Sequence, residues 1–284
     1  MLGLRKLLLP VDFSGRSGGS ARYAEAIASR FRSQIILLHV EHDSLLGGKD
    51  ENQGPPMGSI EHTLWLKTRL ESHLKDELRG PTVSRVVREG DPAGEIVELA
   101  HAEQVDLILM ATRGHRPLRQ FLWGSVVANV IHNSHCPVWT GVHLTDAPPK
   151  DLLSFKKVAC AVDMGPRTRI ALSWASEFAS AFGALLLVIH VARPATGEQV
   201  GPAAGDSELR LVKHAREELQ NVLNEMNIRA DIATGSGSAS EIVHEYALGF
   251  ESDVLVIGRC PPSGRLHSDT YTIIRQSHCP VVSV

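Results

Sequence analysis

The chain has 284 residues, 43% hydrophobic and 21% charged, with a formal net charge of −3 and four cysteines. That length suggests two domains of about 100–200 residues each, and the near-neutral charge excludes a global basic field for nucleic acid or an anionic membrane. Four cysteines in so long a chain do not make a disulfide framework and fit a reducing compartment; with no apolar run near the ~18 residues of a membrane span, a cytoplasmic protein without nucleic-acid or membrane partners is expected.

The chain opens on MLGLRKLLLP, where Arg5 and Lys6 precede an apolar run too short for a signal core. Lys6 to Asp12 is a short apolar run ending in Asp and reads as a strand buried on both faces. SGGS at 17–20 starts a helical pattern over 17–32, and IILLHV at 35–40 is a second buried strand. A polar, Gly- and Pro-containing loop covers 42–59. Leu66, Leu70, Leu74 and Leu78 at i+4 spacing then predict a helix over 60–79 with one apolar stripe. In GDPAGEIVELA at 90–100, Asp91 is placed to N-cap a helix with Pro92 at its first position. VDLILMA at 105–111 is a buried strand, a helical pattern follows Gly124-Ser125, and PVWTGV at 137–142 is a final strand.

The same order then returns. A linker at 143–154 carries Pro148-Pro149 and shows no period. Beyond it, Lys157 to Asp163 matches the first strand, 167–182 the first helix, LLVIHV at 186–191 the second strand, and 192–206 the first long loop. Residues 206–226, with Leu211, Leu219 and Leu223, match the second helix. SGSASEIVHEYA at 236–247 contains the capping-box pattern Ser238-x-x-Glu241; SDVLVIG at 252–258 and PVVSV at 280–284 are the last two strands. The pentapeptide Ser-His-Cys-Pro-Val precedes the final strand in both halves, at 134–138 and 277–281. Strands alternating with helices imply, in each half, a five-stranded parallel sheet covered on both faces, Rossmann-like or flavodoxin-like. The expected domains are 1–142 and 155–284.

In such a sheet, ligands sit beyond the carboxyl ends of the strands. In the first half that brings forward Asp12, Val40 and the stretch ATRGHRPLRQFLWGSVVANVIHN. Gly114 permits close approach of a ligand to backbone, Arg113, Arg116 and Arg119 add charge, and Gly124-Ser125 at a helix start offers free N–H groups, a hydroxyl and the positive end of the helix dipole. Such groups suit a phosphate; the plain alternative is a turn followed by an ordinary N-cap.

Ala111-Thr-Arg-Gly114, nine residues, then Gly124-Ser125 resembles the Gly-x-x-Gly-x9-Gly-Ser/Thr nucleotide loop of universal stress proteins, with Ala111 in place of the first Gly. Asp12, the segment EGDPAGEIVELA and HCPV before the last strand agree, and the resemblance covers both halves. It implies two tandem domains of the adenine nucleotide alpha hydrolase-like fold, with the two final strands pairing antiparallel as an intramolecular pseudo-dimer. It further implies ATP, or ADP or AMP, with Mg as a companion ion. The binding set it implies is Pro10, Val11, Asp12, Val40, Met110, Ala111, Gly114, Gly124, Ser125, Val126 and Val127. Within that set, Asp12 lies near the ribose and base, Val40 offers its backbone to the adenine edge, and Gly114, Gly124 and Ser125 hold the phosphates. Ala111 would reshape the loop if its position required a positive φ.

The second half departs further. Asp163, Val191, Gly258 and Ser268 are its equivalents, but His267 replaces the Gly before Ser268 and the loop is four residues shorter. Cys260-Pro261-Pro262 stiffens that loop and removes two N–H donors, so binding is expected mainly in the first half. Other motifs carry less. SGGS lacks the following Asp and Ser of pyrophosphatase-type ATP enzymes, and TRGH at 112–115 follows the fourth strand where nucleotidyltransferases carry it after the first. No Walker-type loop occurs. His132, His135, Cys136, His278 and Cys279 read as a helix end turning into a strand, and no metal site is expected; Cys160 reads as core, and Cys260 is the candidate exposed thiol. The expectation is a nucleotide-binding regulatory protein rather than an enzyme, with a regulatory partner and a homodimer through sheet edges or helices. A non-nucleotide interaction scaffold and an adenylate-transferring enzyme are the alternatives.

Overall fold

The computed structural model describes residues 2–14, 17–42, 59–111, 125–141, 148, 153–192, 204–259 and 268–284. The chain divides into two compact units, Gly3–Leu153 and Ser154–Val284. The first runs β1 (Lys6–Val11), α1 (Ser17–Phe31), β2 (Gln34–Glu41), α2 (Ile60–Ser72), β3 (Thr82–Glu89), α3 (Pro92–Ala102), β4 (Leu107–Leu109), α4 (Ser125–Asn133) and β5 (Val138–Thr140). Its strands are all parallel, in the order β3-β2-β1-β4-β5. The chain thus steps outward from β1 to β3 and then reverses past β1 to β4 and β5. Right-handed crossovers in opposite directions put α1 and α2 on one face and α3 and α4 on the other; α3 and α4 pack on each other. Both faces being covered explains the unbroken apolar runs: Leu7, Leu8, Leu9, Ile35, Leu37 and Leu38 are fully buried.

The second unit repeats this with β6 (Lys157–Val162), α5 (Thr168–Phe182), β7 (Leu185–Ala192), α6 (Ala204–Glu225), β8 (Asp231–Ser236), α7 (Ala239–Gly249), β9 (Val254–Ile257), α8 (Ser268–Gln276) and β10 (Val281–Ser283). Its parallel order is β8-β7-β6-β9-β10. One device recurs at the start of both central strands. Asp106 Oδ2 accepts from the backbone N–H of Arg5 at 2.7 Å and of Lys6 at 2.8 Å. Asp253 Oδ2 accepts from Lys156 at 2.6 Å and Lys157 at 2.8 Å. Each carboxylate satisfies two N–H groups that the first strand would otherwise leave unpaired.

Local readings from the sequence hold in most places and fail in three. Asp91 accepts from the Gly94 N–H at 2.9 Å with Pro92 at the first helical position. Ser238 occupies the N-cap of α7 but makes no cap bond; its hydroxyl meets Ser240 Oγ at 3.3 Å, so the capping box does not form. The helix expected over 60–79 stops at Ser72. His73 turns extended and Leu74 adopts φ +56°, yet Leu74 and Leu78 stay buried in the turn that follows. Finally, Gly90 and Gly237, both at positive φ, begin an ungapped match that ends at Asp106 and Asp253. The identical Glu-Ile-Val triplets at 95 and 241 therefore stand one residue out of step.

Candidate functional site

The reversal of strand order between β1 and β4 opens a crevice at their carboxyl ends. Register brings the expected residues to that edge. Val11 pairs with His39 across β1 and β2, which sets Asp12 beside Val40. Leu8 pairs with Ile108 across β1 and β4, which sets Pro10 beside Met110 and Val11 beside Ala111. Strands lie about 4.8 Å apart, so Asp12, Val40 and Ala111 share one small rim. Pro10 and Val11 are within β1, Met110 is buried with its N–H donated to the Trp139 carbonyl at 3.0 Å, and Ala111 is half-exposed.

Helix α4 starts at exposed Ser125, continues through half-buried Val126, and has no acidic residue in its first turn. Its first N–H groups have no intrahelical partner and carry the positive end of the dipole. Val127 is 4% exposed and packs in the core instead of lining an open surface. Ala111 is absent from the residues at positive φ, so Ala there is unstrained. Gly114, Gly124 and the three loop arginines lie outside the described residues.

The backbone after β1 is held in a way the sequence did not disclose. Asp12 Oδ1 accepts from the Ser14 N–H at 3.0 Å, and Phe13 between them takes φ +56°. In the second unit Asp163 Oδ1 accepts from the Gly165 N–H at 2.9 Å, with Met164 at φ +59°. Both Asp residues therefore fix a tight left-handed turn at the strand end, a conformation that costs a non-glycine residue about 1–2 kcal/mol. Behind each turn a buried histidine of the second strand donates Nδ1–H to the carbonyl just before the Asp. His39 reaches Val11 O and His190 reaches Val162 O, both at 2.9 Å.

Around this shared frame the units differ. In the first, Phe13 lies against His39 (centroids 4.2 Å) and His73 (5.2 Å), with the Arg69 guanidinium 4.3 Å over its ring. Glu41 Oε2 stands 3.2 Å from His39 Nε2, and its Oε1 is 3.7 Å from His62 Nε2. Burial, and then the Arg69 cation, hold the His73 imidazole below its usual range; its buried Nε2 has no hydrogen-bond partner among the described residues. In the second unit Ala192 occupies the place of Glu41 and Met164 that of Phe13.

The second unit's strand ends line a cavity of about 770 Å³, walled by Asp163, Arg167, Val191, Gly258, Arg259 and Asp269 among others. Three of the four equivalents expected from the sequence, Asp163, Val191 and Gly258, thus border one space. Ser268 opens α8, and Asp269 follows it where the first unit has Val126. Neither Asp269 nor the buried Arg259, 7% exposed, was singled out from the sequence. A carboxylate in a first helical turn was legible there; the burial of an arginine just after a strand was not. Cys260, Pro261, Pro262 and His267 lie outside the described residues.

The repeated Ser-His-Cys-Pro-Val lies at the opposite, amino end of the sheets. In the first copy Ser134 Oγ donates to the Val130 carbonyl at 2.5 Å, and the His135 ring stands edge-on to His101 at 5.4 Å. In the second copy His278 Nε2 donates to the Ser252 carbonyl at 3.1 Å, and the ring stands 6.4 Å from His244. Cys136 and Cys279 are buried, and burial pushes the Cys279 thiol up to about 12. The motif is a turn from the last helix into the last strand. Cys160 is fully buried in β6, and burial raises its thiol as well. Among the described residues no group of three or more His, Cys, Asp or Glu side chains is placed to hold a metal ion, and no helix is long and apolar enough to cross a membrane.

Comparison with known proteins agrees with this doubling. The model of the universal stress protein family matches residues 3–140 and again 154–284. A universal stress protein of Methanocaldococcus jannaschii is 36% identical over 140 residues, covering 47% of this chain and 79% of that protein. Another from the same organism is 32% identical over 151 residues, covering 47% and 92%. The crystal structure of a universal stress protein from Archaeoglobus fulgidus shares the fold at a TM-score of 0.71 and 23% identity, over 98% of this chain and 97% of that one.

Proposed function

The chain belongs to the universal stress protein family in both of its units, and from that premise we propose that it is an adenine-nucleotide-binding regulatory protein whose principal site is the strand-end rim of the first unit. One observation carries the reading: register gathers Asp12, Val40 and Ala111 at the switch between β1 and β4, and α4 begins after the same crevice with no acidic residue in its first turn. In this reading the carboxylate of Asp12 faces the ribose, since its Oδ1 is committed to the turn and Oδ2 is left for a hydroxyl. The Val40 backbone meets the base edge. The first N–H groups of α4, with Ser125 and the Gly114 and Gly124 backbone, receive the phosphates of ATP, ADP or AMP, with Mg as counter-ion. The protein acts by occupancy, which changes its affinity for a regulatory partner, and not by turnover.

The test is calorimetry on full-length protein stripped of ligand, with mass spectrometry of whatever the freshly purified chain releases. ATP or a related adenine nucleotide is expected to bind, and Gly124→Asp to weaken it at least tenfold by setting a carboxylate against the phosphates. Absence of binding by ATP, ADP and AMP alike overturns the reading and leaves the interaction scaffold.

A further inference from the structure

We propose that the cavity of the second unit is a ligand site in its own right, and that it takes a nucleoside without phosphates. The proposal rests on the reading of the first unit as a nucleotide site. The cavity, about 770 Å³, falls within the ~300–1,000 Å³ of small-molecule sites. It keeps the parts of the frame that would serve the sugar and base. Asp163 sits in the same turn as Asp12, again with Oδ1 committed to a backbone N–H. Val191 lines the cavity from the strand end equivalent to Val40, and Ile257 and Val243 give it an apolar wall.

What differs is the place where phosphates would lie. In α4 the second residue is Val126; in α8 it is Asp269, which also borders the cavity. A carboxylate in a first helical turn complements the helix dipole by itself, and its charge opposes an incoming phosphate at the one group that would attract it. The loop before α8 is four residues shorter than the loop before α4. The two cavity arginines do not restore an anion site. Arg259, 7% exposed, and Asp269 each already interact within the protein, and Arg167 shares the cavity wall with the carboxylates of Asp163 and Asp269. The lining thus carries two acidic and two arginine side chains, a neutral balance suited to an uncharged ligand.

Gly258 supplies a clean way to close the site. It is not at positive φ, and an added Cβ would meet only Arg167 Cβ at 3.5 Å, an ordinary contact. Gly258→Leu should therefore fold and fill the cavity. The experiment titrates adenosine and ATP into the full chain carrying Gly124→Asp, which opposes phosphates in the first unit, and Gly258→Leu then assigns adenosine binding to the second. Adenosine is expected to bind, with ATP at least tenfold weaker. Adding Gly258→Leu should remove adenosine binding, and adding Asp269→Asn should raise the affinity for ATP relative to adenosine at least fivefold. The proposal is overturned if adenosine does not bind, if ATP binds as tightly, or if Asp269→Asn leaves the ratio unmoved. Failure of the first-unit reading shows separately, as no ATP binding to the chain with native Gly124. Should Gly124→Asp prevent folding, amide exchange on the native-sequence chain with adenosine decides the matter. Protection is expected at 163–167 and 257–259, and protection confined to 10–14 and 110–111 would overturn the proposal.

Discussion

The strand ends of the two units were cut from one pattern and have kept different halves of it. Both retain the Asp-capped left-handed turn and the histidine that donates behind it, with matching distances. Both retain the carboxylate that ties the start of the first strand to the fourth. The side chains around that frame have changed: Glu41 against Ala192, Phe13 against Met164, Val126 against Asp269. Groups whose partners are backbone atoms of the fold are constrained wherever that fold is needed. Groups whose partner is a ligand are constrained only where that ligand binds. Duplication therefore separates scaffold from site within one chain.

The largest effect should come from the scaffold and should be equal in both units. Asp106→Ala and Asp253→Ala each remove an acceptor shared by two backbone N–H groups. Each should cost about 1–3 kcal/mol, the usual penalty for stranding partly buried polar groups. Urea denaturation followed by fluorescence and circular dichroism measures both. A cost in one unit and none in the other would break the claim that this device is common to the two.

A smaller effect should differ in sign. Met164 and Phe13 both occupy a conformation that glycine enters without strain. Met164 is half-buried at the edge of the open cavity, so Met164→Gly should stabilise the second unit by up to about 1 kcal/mol. Phe13 packs against His39, His73 and Arg69, and losing a ring in such surroundings outweighs the relief, so Phe13→Gly should destabilise the first. Equal shifts in thermal midpoint would show that the aromatic cluster contributes nothing.

How far the sequence could be read follows the same division. Strands buried on both faces announce themselves as apolar runs, so β1, β2, β4 and their repeats were legible, as were Asp12, Val40 and the start of α4. β3 was expected as the third of five strands but given no residues, because Ser84, Arg85 and Arg88 interrupt its apolar residues and every position from Val83 to Arg88 is half-buried. The left-handed Phe13 and Met164 were illegible because neither residue type advertises positive φ; the turn is imposed by the Asp side chain and the sheet edge together. The stop of α2 at Ser72 was hidden for a related reason. Leu74 and Leu78 keep the helical spacing but reach the core from a turn, because His73 leaves the helix to set its ring edge-on to Phe13.

His73 also yields the smallest effect, one confined to the first unit. Its pKa is lowered chiefly by burial and next by Arg69, with Glu77 and Asp12 opposing. Its Nε2 is buried with no acceptor within reach among the described residues, so a proton there would go unmatched. Well above the unfolded value the ring is neutral in both folded and unfolded chains and contributes no pH dependence. Below the unfolded value of about 6.5, the unfolded chain takes up the proton first. Folding stability therefore falls as pH drops, and the loss levels off once the folded ring is protonated too. His73→Gln should shrink the drop in urea midpoint of the first unit between pH 7.5 and 5.5 and leave the second unit's unchanged. An identical drop in wild type and variant would show that His73 is not the source of the first unit's acid sensitivity.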